Sequence, residues 1–184
     1  MPMIKKESLR QPWAAFLNEL DALLPHPVEL RCLGGFLLTV IYALPRVTAD
    51  LDCLAVLPSE ATAAVEELAG RNSRLAKKHR VWVQYVGIGV VDLPDGYEQR
   101  LELLDFGFEK LQLSALDAYD LVLAKLTRNS PKDREDVKFI AHQQNLSYTV
   151  AYELFVKEMK PWVARADWHE GTLQKVWKEY FPRP

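Results

Sequence analysis

The sequence predicts an α+β protein: a mixed β-sheet with helices on its faces, followed by a helical C-terminal segment. Three observations carry this. Short apolar or alternating runs, punctuated by Gly and Pro, fill the first part of the chain. A strand pattern, a double glycine, an apolar helical run and a second strand pattern follow one another between Val28 and Leu57. From Ala118 onward the periodic stretches have helical spacing.

The elements follow in order. Pro12 to Leu24 places Trp13, Phe16, Leu17, Leu20, Leu23 and Leu24 on one helical stripe, and Pro25-His26-Pro27 ends it. "VELRCL" alternates and stops at Gly34-Gly35, "FLLTVIYAL" suits a buried helix, and "TADLDCLAVL" a second strand. Ser59 is a candidate N-cap for a helix over Thr62–Ala69 that Gly70 closes. "VWVQYVGIGVVDL" predicts one or two further strands, Pro94-Asp95-Gly96 a turn, and "RLELLDF" and "KLQLSAL" short strands. Ala118–Arg128, Asp133–Gln144 and Ser147–Ala164 complete the chain as helices.

Composition bounds the function. A chain of 184 residues with 49% hydrophobic residues can bury a sizeable core. With 23 basic and 25 acidic residues the formal charge is −2, so no polybasic footprint points to bulk nucleic-acid or anionic-membrane binding. The N-terminal stretch has no apolar leader core, and no run approaches the roughly 20 residues of a membrane span. A cytoplasmic protein without membrane contact is expected. Cys32 and Cys53 both lie in apolar segments and read as reduced core thiols, and the four histidines have no metal-ligand spacing.

One stretch resists a packing explanation. In a strand, Asp50 and Asp52 project from the same face while Leu51 and Cys53 point to the other. Two carboxylates held that close repel unless a cation lies between them, and a hard divalent ion such as Mg²⁺ (or Mn²⁺) answers that need. At Gly34 and Gly35 the absent Cβ atoms let backbone N–H groups approach a polyphosphate. Each motif alone also has a plain structural reading, the acids as a strand end and the glycines as a tight turn. Their order along the chain is the specific signal.

Leu33-Gly34-Gly35, then a helix, then Asp50-Leu51-Asp52 on a strand resembles the signature of the nucleotidyltransferase fold shared with DNA polymerase beta. The Arg46-Val47-Thr48 lead-in is similar to the bacterial branch containing the nucleotidyltransferase toxins of abortive-infection toxin–antitoxin pairs. "DLVLAKLTRNSPKDREDV", residues 120–137, resembles that branch's Lys…Asp-x-x-Asp helix pair. The likeness covers about residues 28–140, which sets the expected division: a nucleotidyltransferase-like domain over 1–140 and a helical extension over 141–184 packed on it.

The resemblance implies metal-dependent transfer of a nucleotidyl group from a nucleoside triphosphate to an acceptor hydroxyl on tRNA or protein, with an antitoxin-like partner. It implies Asp50 and Asp52 as metal ligands, Gly34, Gly35 and Thr48 at the nucleotide, Lys125 at the phosphates, and Asp133 and Asp136 near it. The alternative is a degenerate domain that binds nucleotide or a partner protein. Gly35 stands where many active transferases of this fold carry serine. The third carboxylate usual in the superfamily is assigned to Asp92, read as a strand end, or else Asp92 simply opens the "DLPDG" turn. Lys125 equally suits a packed helix face, and Asp133 and Asp136 a solvated helix start. The basic run "RLAKKHR" and the C-terminal aromatics Trp162, Trp168, Trp177, Tyr180 and Phe181 read as a solvated loop and a packed helical cap rather than nucleic-acid contacts.

Overall fold

The computed structural model describes residues 9–87 and 89–181, apart from the side chains of 177–179. Residues 1–8, read above for a leader, and the Trp177 side chain lie outside the described residues. The chain forms two compact units: Met1–Ile88 with Leu101–Ala115, and Gly89–Arg100 with Leu116–Pro184. The sequence places the division at 140. The structure groups the helices of residues 118–143 with the C-terminal ones instead.

The first unit is built on a five-stranded sheet of order β3-β2-β1-β5-β4. Its strands are β1 (Val28–Leu33), β2 (Asp50–Leu57), β3 (Trp82–Tyr85), β4 (Glu102–Leu104) and β5 (Leu111–Ala115). β1 runs antiparallel to β2 and parallel to β5; β3 is parallel to β2, and β4 antiparallel to β5. The alternation in "VELRCL" sets the two faces. Leu30, Cys32, Leu51, Cys53 and Leu113 are fully buried on one, whereas Glu29, Arg31, Asp50 and Asp52 are half-buried on the other.

Helices cover the apolar face. They are α1 (Trp13–Leu23), α2 (Gly34–Phe36, continued by a π-turn Leu37–Ile41), α3 (Thr62–Ala69) and α4 (Arg74–His79). Trp13 packs edge-to-face on Phe16 and Phe36 at 5.8 and 4.9 Å, joining α1 to α2. Glu19 of α1 accepts from Lys78 and His79 of α4 at 2.6 and 2.8 Å. Asp21 accepts three backbone N–H groups, from Glu109, Lys110 and Leu111, and so fixes the entry to β5.

β2 carries an irregularity. Arg31 pairs with Ala55 but Cys32 pairs with Cys53, so Leu54 is an extra residue on β2, a bulge in the middle of the strand. Cys32 and Cys53 are free, buried thiols. Burial pushes both up, Cys53 to about 12, which suits inert core residues.

The second unit is helical: α5 (Ala118–Arg128), α6 (Pro131–Gln143), α7 (Tyr148–Leu154, continued by a π-turn Phe155–Met159) and α8 (Ala166–Tyr180). Asn129, in the left-handed region at φ 52°, ends α5, and a Ser130–Asp133 capping box with Pro131 starts α6. α8 packs on α5 and α6. Among the described residues no helix is long and apolar enough to cross a membrane.

Of the one or two strands expected in "VWVQYVGIGVVDL", one short strand forms and stops at Tyr85, ahead of Gly87 and Gly89, which turn the chain at φ 83° and 100°. Two expectations are corrected. "RLAKKH" is a helix, capped by the Ser73 hydroxyl accepting from the Ala76 N–H at 3.0 Å, and not a loop. Ser59 opens a 3₁₀ turn, and its side chain caps nothing in α3.

Candidate active site

The turn after β1 brings five of the expected residues together within the first unit. Leu33 is still extended, opposite Asp52 in the β1–β2 ladder. Gly34 then turns at φ 74°, a conformation that favours glycine. A Cβ on Gly34 would collide with the Asp52 carboxylate, and one on Gly35 would come within 2.9 Å of the Thr48 hydroxyl oxygen. Gly34 is therefore required by its backbone conformation, and a side chain at either position would have to displace Asp52 or Thr48. The backbone of the turn lies directly against Asp52 on one side and Thr48 on the other.

Thr48 also sets Asp50. Its hydroxyl donates to Asp50 Oδ1 at 2.7 Å across the loop that enters β2. Asp50 and Asp52, half-buried, flank Leu51, which is fully buried beneath the sheet. The two acids, the threonine hydroxyl and the glycine backbone thus share one end of β1 and β2. Thr48 occupies the space that a larger residue 35 would need, and it supplies a hydroxyl at that place.

This donor set fits a magnesium-like cation. Two carboxylates on one face are hard oxygen ligands, and such ions are commonly held by one or two carboxylates plus substrate phosphates. Among the described residues, no group of three His, Cys, Asp or Glu side chains gathers as a metal site.

The other expected residues belong to the second unit. Asp92 is exposed and lies in the segment after β3, not at a strand end as expected. Its charge is felt by His169, a buried histidine that burial lowers and Asp92 partly raises back. His169 Nδ1 has no hydrogen-bond partner among the described residues.

Lys125 is 6% exposed. Its Nζ lies 2.9 Å from Asp136 Oδ2 and 3.5 Å from Asp133 Oδ1, tying α5 to α6. Asp133 also accepts from the Arg128 guanidinium and the Ser130 hydroxyl. Burial would raise its carboxyl, but the Arg128 and Ser130 hydrogen bonds and the charges of Lys125 and Arg128 outweigh that and hold it well below the usual range.

A second network was not signalled by the sequence. Arg100 reaches Asp120 and Glu158, each at 2.8 Å, and Glu158 also accepts the Gly96 N–H at 2.9 Å. This clamp joins the 89–100 segment to α5 and to the turn after α7. Burial pushes Asp120 up to about 6 despite the opposing Arg100, and the Asp117 charge adds to the rise. The available signal was an aspartate inside the apolar run of α5, which a half-buried arginine partner explains.

A glycine turn closed against a strand bearing two acids, on a mixed sheet with helices, is the arrangement of the nucleotidyltransferase class. Over residues 14–183 the chain matches the family described as nucleotidyltransferase of unknown function (DUF6036), and it belongs to that family. No curated protein and no solved structure shows a significant match to it.

Proposed function

We propose that this protein is a metal-dependent nucleotidyltransferase that moves a nucleotidyl group from a nucleoside triphosphate to an acceptor hydroxyl on tRNA or protein. The observation that carries the reading is the Asp52 carboxylate against the Gly34 backbone, with Asp50 held beside it by the Thr48 hydroxyl. Asp50 and Asp52 would hold Mg²⁺ or Mn²⁺, which supplies charge neutralisation at the phosphoryl oxygens in such transfers. Gly34 and Gly35 would let the triphosphate approach the backbone of the turn beside the acids. Thr48 orients Asp50 and offers its hydroxyl where serine stands at position 35 in many active relatives of the fold.

Lys125, Asp133 and Asp136 act as a unit that keeps α5 and α6 in register. The Arg46-Val47-Thr48 lead-in and this helix pair favour the toxin-like branch, with an antitoxin-like protein as partner. A second reading is favoured by one observation, the absence of a third acid beside the pair among the described residues. In that reading the domain binds nucleotide or a protein without turnover.

The deciding experiment measures Mg²⁺- and Mn²⁺-dependent binding of each nucleoside triphosphate, and label transfer to total tRNA and to protein. The double variant Asp50→Ala, Asp52→Ala is the control. Binding and transfer that both vanish in it support the enzyme. Binding without transfer supports the second reading, and no metal-dependent binding in the wild type removes the enzyme.

A further inference from the structure

β3 is the strand next to the acids. Its parallel pairing with β2 sets Trp82 beside Asp50 and Gln84 beside Asp52. Registered residues on neighbouring strands stand about 4.8 Å apart and project from the same face. The residues between them, Leu51 and Val83, are buried on the other face. Gln84 is exposed. It is therefore the side chain of β3 placed to meet whatever Asp52 holds.

An amide at this position changes what the site can bind. A carboxylate there would add a third hard anionic ligand and favour a second divalent ion. A primary amide has no charge, but it carries two N–H donors and a carbonyl acceptor. That combination suits the mixed donors and acceptors of a nucleoside better than the purely accepting oxygens of a triphosphate. Space is available alongside. A cleft of about 130 Å³ at the edge of β3 is lined by Arg71, Trp82 and Gln84 and, from the apolar side, by Val56, Val65 and Val83. The Arg71 guanidinium lies 5.3 Å over the Trp82 ring, and the Trp82 indole N–H is buried with no hydrogen-bond partner among the described residues.

Resting on the reading of Asp50 and Asp52 as the cation-holding pair, we propose that the site takes a single divalent cation and that Gln84 binds the nucleoside part of the substrate through its amide. Gln84 thus serves recognition at the place where a third acid would serve a second metal.

Mn²⁺ titrations followed by electron paramagnetic resonance, together with calorimetry of each of the four ribonucleoside triphosphates and of inorganic tripolyphosphate, test this on the full chain. Wild type should bind one Mn²⁺. Gln84→Ala should keep that stoichiometry and its tripolyphosphate affinity while losing about tenfold for the preferred nucleoside triphosphate, the size of one lost hydrogen bond. Gln84→Glu should tighten Mn²⁺ binding without nucleotide or add a second ion. Circular dichroism and melting curves show whether each variant is folded, and Gln84→Asn provides a milder change if Gln84→Ala is not.

Two Mn²⁺ ions in the wild type, or variants at Gln84 that match it for all four nucleotides, overturn the inference while leaving the metal-site reading intact. If Asp50→Asn and Asp52→Asn leave Mn²⁺ binding unchanged, the metal-site reading fails and the inference falls with it.

Discussion

Thr48 and Gly35 exclude each other's growth: a Cβ on residue 35 would lie within 2.9 Å of the Thr48 hydroxyl oxygen. Gly35→Ser alone should therefore crowd Thr48 and weaken both folding and triphosphate binding. In a Thr48→Ala background the same serine has room and restores a hydroxyl. A double-mutant cycle should show coupling of about 1 kcal/mol between the sites. Additive effects in thermal melts would mean that the two residues do not compete for one space.

Gly34 is constrained twice, by φ 74° and by the Asp52 carboxylate. Gly34→Ala should cost about 1–3 kcal/mol of stability from backbone strain and displacement. It should also reduce Mn²⁺ affinity, because Asp52 must move. Urea midpoints and metal titration on the same variant check both parts, and unchanged metal affinity would separate Asp52 from the cation.

Lys125→Ala should destabilise the protein by about 3–5 kcal/mol, since it removes the buried cation that Asp136 and Asp133 share between α5 and α6. Replacing Lys125 and Asp136 together, with Met and Leu, should recover much of the loss. If Lys125→Ala instead melts like the wild type and fails only in triphosphate binding, Lys125 serves the phosphates.

Two buried carboxylates of the second unit should give pH effects of opposite sign. Asp133 is held below its unfolded value, so its stabilising contribution is complete above about pH 4 and is lost as the pH falls further. The stability gap between wild type and Asp133→Asn should shrink in that range. Asp120 is raised to about 6, so the folded state holds its proton more tightly than the unfolded chain. Its contribution falls as pH rises from about 4 to 6. Asp120→Asn should remove that decline from denaturation curves, and a profile unchanged by the substitution would show that Asp120 is ionised throughout.

The first half of the site was legible because its logic is local. Strand alternation alone puts Asp50 and Asp52 on one face, and a double glycine before an apolar helix marks a close turn. The role of Thr48 needed coordinates, since its contact with Gly35 crosses the loop between helix and strand. Of the two readings of Asp92, the strand end fails because the left-handed Gly87 and Gly89 break the apolar run that suggests a strand. The burial of Lys125 could not be read from α5 alone: its partners lie on the next helix, and a lysine among leucines looks the same whether it reaches solvent or a buried carboxylate. Arg100 is separated from Asp120 and Glu158 by 20 and 58 residues, distances over which sequence pattern carries no pairing information.

The extra residue Leu54 in β2 acts as a parity switch. On the far side of it, Ala55 and Leu57 face the way Arg31 and Glu29 do; on the near side, the acids occupy that same face, although unbroken alternation from Ala55 back to Asp52 would have reversed them. The strand can therefore anchor its far half through Val56 and its near half through Leu51 and Cys53 while presenting both carboxylates outward. Removing Leu54 alone would close the ladder to regular pairing with Asp52 and Ala55 still on one face, so what the extra residue adds is its own fully buried side chain and a local bend beside the acids.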